Sequence, residues 1–169
     1  LNQPAPLDLR VNTLKSTRDE ALQILEGEGI NSTPTPFSPI GLRICQRVNL
    51  KGSKAFRDGY VEIQDEGSQL IALLVGAEAN MTTIDLCAGS GGKTLALAAS
   101  IKDGGRLIAC EIDPSKLKKA LSRFKRAGVS NVTRKVITGP YDPWIAAVAG
   151  SGDRVLLDVP CSGSGVWRR

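Results

Sequence analysis

The sequence predicts an α/β protein: a parallel sheet with helices on both faces, preceded by a small α+β unit. Three observations carry this. From about residue 59 apolar strand-like runs alternate with helical patterns, and parallel strands need such crossovers because a hairpin cannot join them. A glycine-rich segment, Gly89-Ser-Gly-Gly92, separates the first of these strands from the helix that follows it. Before residue 59 the grammar differs, with short alternating runs, one capped helix and a Pro-rich bend. At 169 residues the chain is long enough for one core and an appendage.

Taken in order, Leu7, Leu9 and Val11 alternate with polar neighbours as in a half-buried strand. Thr17 and Glu20 make a capping box that opens a helix through Leu22 and Leu25, stopped by Gly27 and Gly29. After Pro34, Pro36 and Pro39, the residues Leu42, Ile44 and Val48 mark another strand, so residues 1–58 are expected to form the α+β unit and 59–169 the parallel sheet. Asp65 caps a helix whose apolar residues are Leu70, Ile71, Leu73 and Leu74. Strands are expected at Thr83 to Cys87, Leu107 to Glu111, Val132 to Ile137 and Val155 to Val159, with a helix from Lys93 to Ile101. Between the second and third of these strands lies the best-marked helix, with Asp113 as cap, Pro114 in its first turn, Leu117, Ala120, Leu121 and Phe124 as its buried stripe, and Gly128 at its end.

Composition narrows the function classes. There is no His, which removes the usual base of serine and cysteine hydrolases. Cys45, Cys87, Cys110 and Cys161 form no CxxC pair, so neither a disulfide framework nor a metal site is expected. No apolar run approaches the roughly 18 residues of a membrane span and no signal peptide is evident, which places the expectation in the cytoplasm. The chain opens on Leu1 and stops at Val166-Trp-Arg-Arg169 after a glycine-rich turn, so both ends read as cut. Residues 114–135 hold eight basic side chains and no acid; Lys116, Lys119, Arg123 and Arg126 share one helix face, which suits either a polyanion or plain solvation.

Two segments can carry chemistry. In Asp85-Leu-Cys-Ala-Gly-Ser-Gly-Gly-Lys-Thr94, bare backbone N–H groups at a strand-to-helix turn can meet a ligand. A P-loop needs Gly where Cys87 stands, and the dinucleotide fingerprint begun at Gly89 needs Gly or Ala where Thr94 stands. What remains is an acid closing a strand, a glycine turn, and Glu111 at the tip of the next strand, placed to accept from ribose hydroxyls. That combination suits S-adenosylmethionine, which has a ribose and a sulfonium but no phosphate; a merely tight turn is the plain alternative. In Asp153-Arg-Val-Leu-Leu-Asp-Val-Pro-Cys-Ser-Gly-Ser-Gly165, Asp158 and Cys161 sit where a strand runs out, the edge at which open α/β sheets bind ligands. From the residues alone Cys161 reads either as a nucleophile or as an inert thiol.

These segments, with Val61-Glu-Ile-Gln-Asp-Glu-Gly-Ser-Gln-Leu70 ahead of them, resemble the Sun-type (Fmu-type) ribosomal RNA cytosine-C5 methyltransferases from about residue 5 to 169. The resemblance implies a Rossmann-like methyltransferase sheet, its last strands missing here, behind a small RNA-binding-like subdomain, and an S-adenosylmethionine-dependent enzyme acting on RNA. It implies that Cys87, Ala88, Gly89, Ser90, Gly91, Gly92 and Lys93 line the cofactor pocket, that Glu111 holds the ribose, and that Asp158 lies between cofactor and target base. Glu111 stands where the family usually has Asp. The family's acid near the adenine is absent from Ile137-Thr-Gly-Pro140, and Asp142 is the substitute at hand. Carbon 5 of cytosine is a poor nucleophile, so a thiolate must first add to carbon 6. By resemblance that thiolate belongs to a later Thr-Cys motif, Cys161 assists product release, and these 169 residues alone are expected to be inactive. A non-catalytic RNA-binding module and a P-loop NTPase are the competing readings.

Overall fold

The computed structural model describes residues 5–102 and 104–162; the end of the second motif, from Gly163, and the expected break at Arg169 lie outside them. The described residues form two four-stranded sheets. The first takes β1 (Leu7–Val11), β2 (Ser32–Pro34), β3 (Gly41–Ile44) and β4 (Val61–Ile63) in the antiparallel order β2-β3-β1-β4. Helices α1 (Arg18–Gly27) and α2 (Lys54–Arg57) join its strands. Leu9, Val11, Leu25, Leu42 and Val61 bury the core of this unit. The capping box forms as expected, with Thr17 N–H donating to Glu20 and Glu20 N–H to the Thr17 hydroxyl.

The sheet extends past residue 58, the expected division. β4 hydrogen-bonds along β1 in the register Arg10↔Glu62, and its three residues are too few for alternation to announce a strand. Val48, expected on a strand, lies in the loop after β3 and packs against the core from there.

The second sheet runs β7-β6-β5-β8, every pair parallel, from β5 (Thr82–Asp85), β6 (Arg106–Glu111), β7 (Val132–Val136) and β8 (Arg154–Leu156). α4 (Gly92–Ser100) and α5 (Pro114–Ala127) cover one face, where Leu95, Leu97, Leu107 and Phe124 pack together. The other face, Ile84, Ile108 and Cys110, is covered by Trp144 and Ile145 of α6 (Pro143–Ala147), a short helix the sequence did not announce. The last strand is shorter than expected: β8 ends at Leu156, and Leu157 and Val159 stand exposed beyond it.

Two expected apolar faces are turned differently. On α3 (Glu66–Leu74) the buried residues are Glu66, Gln69 and Ala72, while Leu74 is 85% exposed. The polar pair is drawn inward by backbone groups that need partners: Glu66 accepts the N–H groups of Phe37 and Ser38, and the Gln69 amide donates to the Leu9 and Gln64 carbonyls. On α5, Leu117, Ala120, Phe124 and Ala127 are buried and Leu121 is exposed. Its basic face is also divided. Arg123 and Arg126 both pair with Glu62, whose side chain is only 2% exposed, and so tie α5 to β4, while Lys116 and Lys119 are exposed, Lys116 within 3.9 Å of Glu111.

Candidate functional site

A cleft of about 540 Å³ opens where the two sheets meet, lined on one side by the start of β1 with the residues before it and the end of β4 with the residues after it, and on the other by the glycine turn. The turn's geometry follows from its glycines. Gly91, the N-cap of α4, has φ +83°, and a Cβ there would stand 2.7 Å from the Phe124 ring; only glycine lets α5 pack so close. Gly89 also has positive φ, but a Cβ on it would meet nothing within 4 Å.

Of the expected pocket residues, Cys87, Ala88, Gly89, Ser90, Gly92 and Lys93 line the cleft, as does Asp158. Gly91 lies behind it on Phe124. Glu111 lies under the turn, buried, with one carboxylate oxygen accepting from Gly89 N–H at 2.8 Å and the other from Ile112 and Asp113 N–H. It thus ties the turn to β6, and the oxygen facing Gly89 retains acceptor capacity. Cys161 is exposed three residues beyond Asp158 and is not among the lining residues.

The cleft is acidic at its floor. Asp85 closes β5 with 1% exposure; its Oδ2 accepts from the Thr94 hydroxyl at 2.7 Å and its Oδ1 has no protein partner. Burial raises its pKa to about 6, against the pull of Thr94 and Lys93 and with further upward push from Asp158 and Glu111. Lys93 Nζ donates to Asp158 Oδ2 at 2.6 Å, which brings together two residues 65 apart in sequence. Burial, then the neighbouring acids Glu111, Asp85 and Asp158, push the Cys87 thiol above its ordinary range, which disfavours the thiolate. Cys110, raised to about 12 chiefly by burial, is core.

Asp142, the expected substitute for the acid near the adenine, is bonded within its own loop and is not among the residues lining the cleft. Its carboxylate accepts from the Thr138 N–H and hydroxyl and from Trp144 N–H, which caps α6 and holds its pKa down. Sequence reasoning placed none of Arg123, Asp8, Gln64 and Asp65 in a ligand site, yet all four line the cleft. The Val61–Leu70 motif contained the signal for Gln64 and Asp65; Arg123 looked like one more surface cation.

The parallel sheet, the glycine turn after its first strand and an acid at the tip of the next define the Rossmann-like methyltransferase class of fold. Residues 72–169 match the 16S rRNA methyltransferase RsmB/F family and residues 1–51 its ferredoxin-like domain, and the chain belongs to that family. It is 34% identical to ribosomal RNA small subunit methyltransferase B of Proteus mirabilis over 99% of this chain and 39% of the relative. Against a mouse 28S rRNA (cytosine-C(5))-methyltransferase the identity is 33% over 96% of this chain and 20% of the relative. The chain therefore spans about two fifths and one fifth of these relatives. A solved methyltransferase homolog protein from Pyrococcus horikoshii superposes with a TM-score of 0.86 at 27% identity, covering 99% of this chain and 54% of that one.

Proposed function

We propose that this chain carries the S-adenosylmethionine site of a cytoplasmic enzyme that methylates carbon 5 of a cytosine in RNA, ribosomal RNA by its relatives. The observation that carries the reading is the acidic cleft beneath an open glycine turn. Asp85 offers an oxygen without a protein partner, Glu111 retains acceptor capacity beside Gly89, and open space at Gly89 lets a ligand approach the backbone. Acceptor oxygens open to the cleft fit a ligand that brings hydroxyls and positive charge. When bound, S-adenosylmethionine supplies an electrophilic methyl group. Cys87 to Lys93 would hold it, with Glu111 accepting from its ribose.

The remaining roles fall on the ion pair at the cleft. Asp158 would meet the ring-nitrogen edge of the flipped cytosine, stabilising the adduct formed when a thiolate adds to carbon 6. Lys93, bonded to Asp158, would fix the rotamer of that carboxyl at the edge of the cleft. Cys161, exposed on the chain leaving Asp158, would assist elimination of the thiol after methyl transfer. In a full-length enzyme that supplies the attacking thiolate, Cys161→Ala incubated with substrate RNA should then retain a denaturant-resistant protein–RNA band with turnover lost. Normal turnover with no trapped species would remove Cys161 from the mechanism.

A further inference from the structure

Arg123 joins the two units at the cleft. Its Nη1 donates to the Ser90 carbonyl at 2.9 Å and to the Ser90 hydroxyl at 3.0 Å, and its Nη2 donates to Glu62 Oε2 at 3.1 Å. Ser90 is the middle of the glycine turn, and Glu62 is a buried carboxylate on β4 of the antiparallel sheet. The next residue, Phe124, packs under Gly91. Adjacent residues of α5 therefore grip adjacent residues of the turn, one by charge-assisted hydrogen bonds and one by contact. Arg126 takes the other oxygen of Glu62 and stacks on Phe56, 3.9 Å from the ring centroid, but has no bond to the turn. The planar fork of a guanidinium can serve Ser90 and Glu62 at once.

We propose that Arg123 is a positioning residue: Glu62 of the antiparallel sheet aims its guanidinium at Ser90, and this fixes the glycine turn in the conformation that receives the cofactor. The RNA-binding-like unit thereby sets the geometry of the cofactor site. The inference rests on reading the cleft as that site, so its test needs one measurement that uses no cofactor. Hydrogen exchange across residues 87–93 supplies it, because the amides of Ala88, Gly89 and Gly91 are bonded to Cys110, Glu111 and Ala88 respectively.

The protein and its Arg123→Gln, Arg123→Lys and Arg126→Gln variants are compared by exchange, melting temperature and calorimetric titration with S-adenosylhomocysteine. Arg123→Gln should speed exchange of the turn about tenfold and weaken binding by a similar factor, as expected for loss of a hydrogen bond to a charged group. Arg126→Gln, which loses a bond to the same Glu62, should lower the melting temperature and leave turn exchange and affinity within about twofold. Arg123→Lys keeps the charge without the fork, so it should recover melting temperature but not turn protection. If Arg123→Gln and Arg126→Gln behave alike in exchange, the positioning role is wrong and both are structural pairs. If the unsubstituted protein fails to bind while the exchange contrast holds, the positioning role stands and the reading of the cleft falls.

Discussion

Asp85 shows at the scale of one residue how the cleft is tuned. Its pKa rises from 3.8 to about 6 because burial disfavours the charged form. A folded-state pKa above the unfolded value means that the unfolded chain gains more by ionising, so stability from this group is full below about pH 4 and is lost as pH rises through 6. At about 1.4 kcal/mol per tenfold change in proton affinity, the loss amounts to about 3 kcal/mol. Asp85→Asn removes that dependence. Urea unfolding should find the variant gaining on the parent protein by up to about 3 kcal/mol between pH 4 and pH 7.5. A constant difference across that range would mean that Asp85 is not desolvated.

The residue scale is also where sequence reading was weakest. The turn from Asp85 to Thr94 was legible because close backbone approaches call for glycine; the bonds of Glu111 to the Gly89, Ile112 and Asp113 N–H groups were not. The pairing of Lys93 with Asp158 was not, since nothing local links residues 65 apart. Asp142-Pro143 carries the same cap-and-proline signature as Asp113-Pro114, but the five residues of α6 are too few to show the apolar spacing that made α5 legible.

Among elements, the glycine turn separates two kinds of glycine that the sequence writes identically. Gly91→Ala puts a methyl against Phe124 and Ala120 and forces an unfavourable φ, so it should cost about 2–4 kcal/mol of unfolding free energy. Gly89→Ala adds a methyl to open space and bears only the conformational cost of about 1 kcal/mol. Chemical denaturation of the two variants compares these directly, and equal losses would contradict the packing of Phe124 beneath the turn. The helix α3 teaches a related lesson. Its spacing of leucines promised a buried apolar face, yet the amides of the loop at Phe37 and Ser38 claimed Glu66, and the helix turned to supply it.

For the whole molecule, polar contacts, some buried and some exposed, tie the antiparallel sheet to α5. Asn12, 2% exposed, donates to the carbonyls of Gly59 and Ala127, and Lys15 donates to those of Asp58 and Arg126, so the antiparallel unit completes the end of α5. A Cβ on Gly59 would stand 2.1 Å from the Arg126 carbonyl oxygen. The sequence announced both units, because each has its own periodicity, but it drew the division at residue 58 and missed β4, whose central residue is a buried acid held by arginines from α5. Asn12→Ala strands two buried carbonyls and should cost about 2–4 kcal/mol. Scanning calorimetry should show its melting transition lowered or split in two. An unchanged single transition would mean that this junction contributes nothing to cohesion.

The central claim is that the cleft between these units is an S-adenosylmethionine site, and calorimetric titration with S-adenosylhomocysteine tests it most directly. Saturable binding at one site per chain is expected, weakened by about 1–3 kcal/mol in Glu111→Ala, where a carboxylate that supports Gly89 and would accept from the ribose is lost. An absence of binding, or an affinity that Glu111→Ala leaves unchanged, would contradict it.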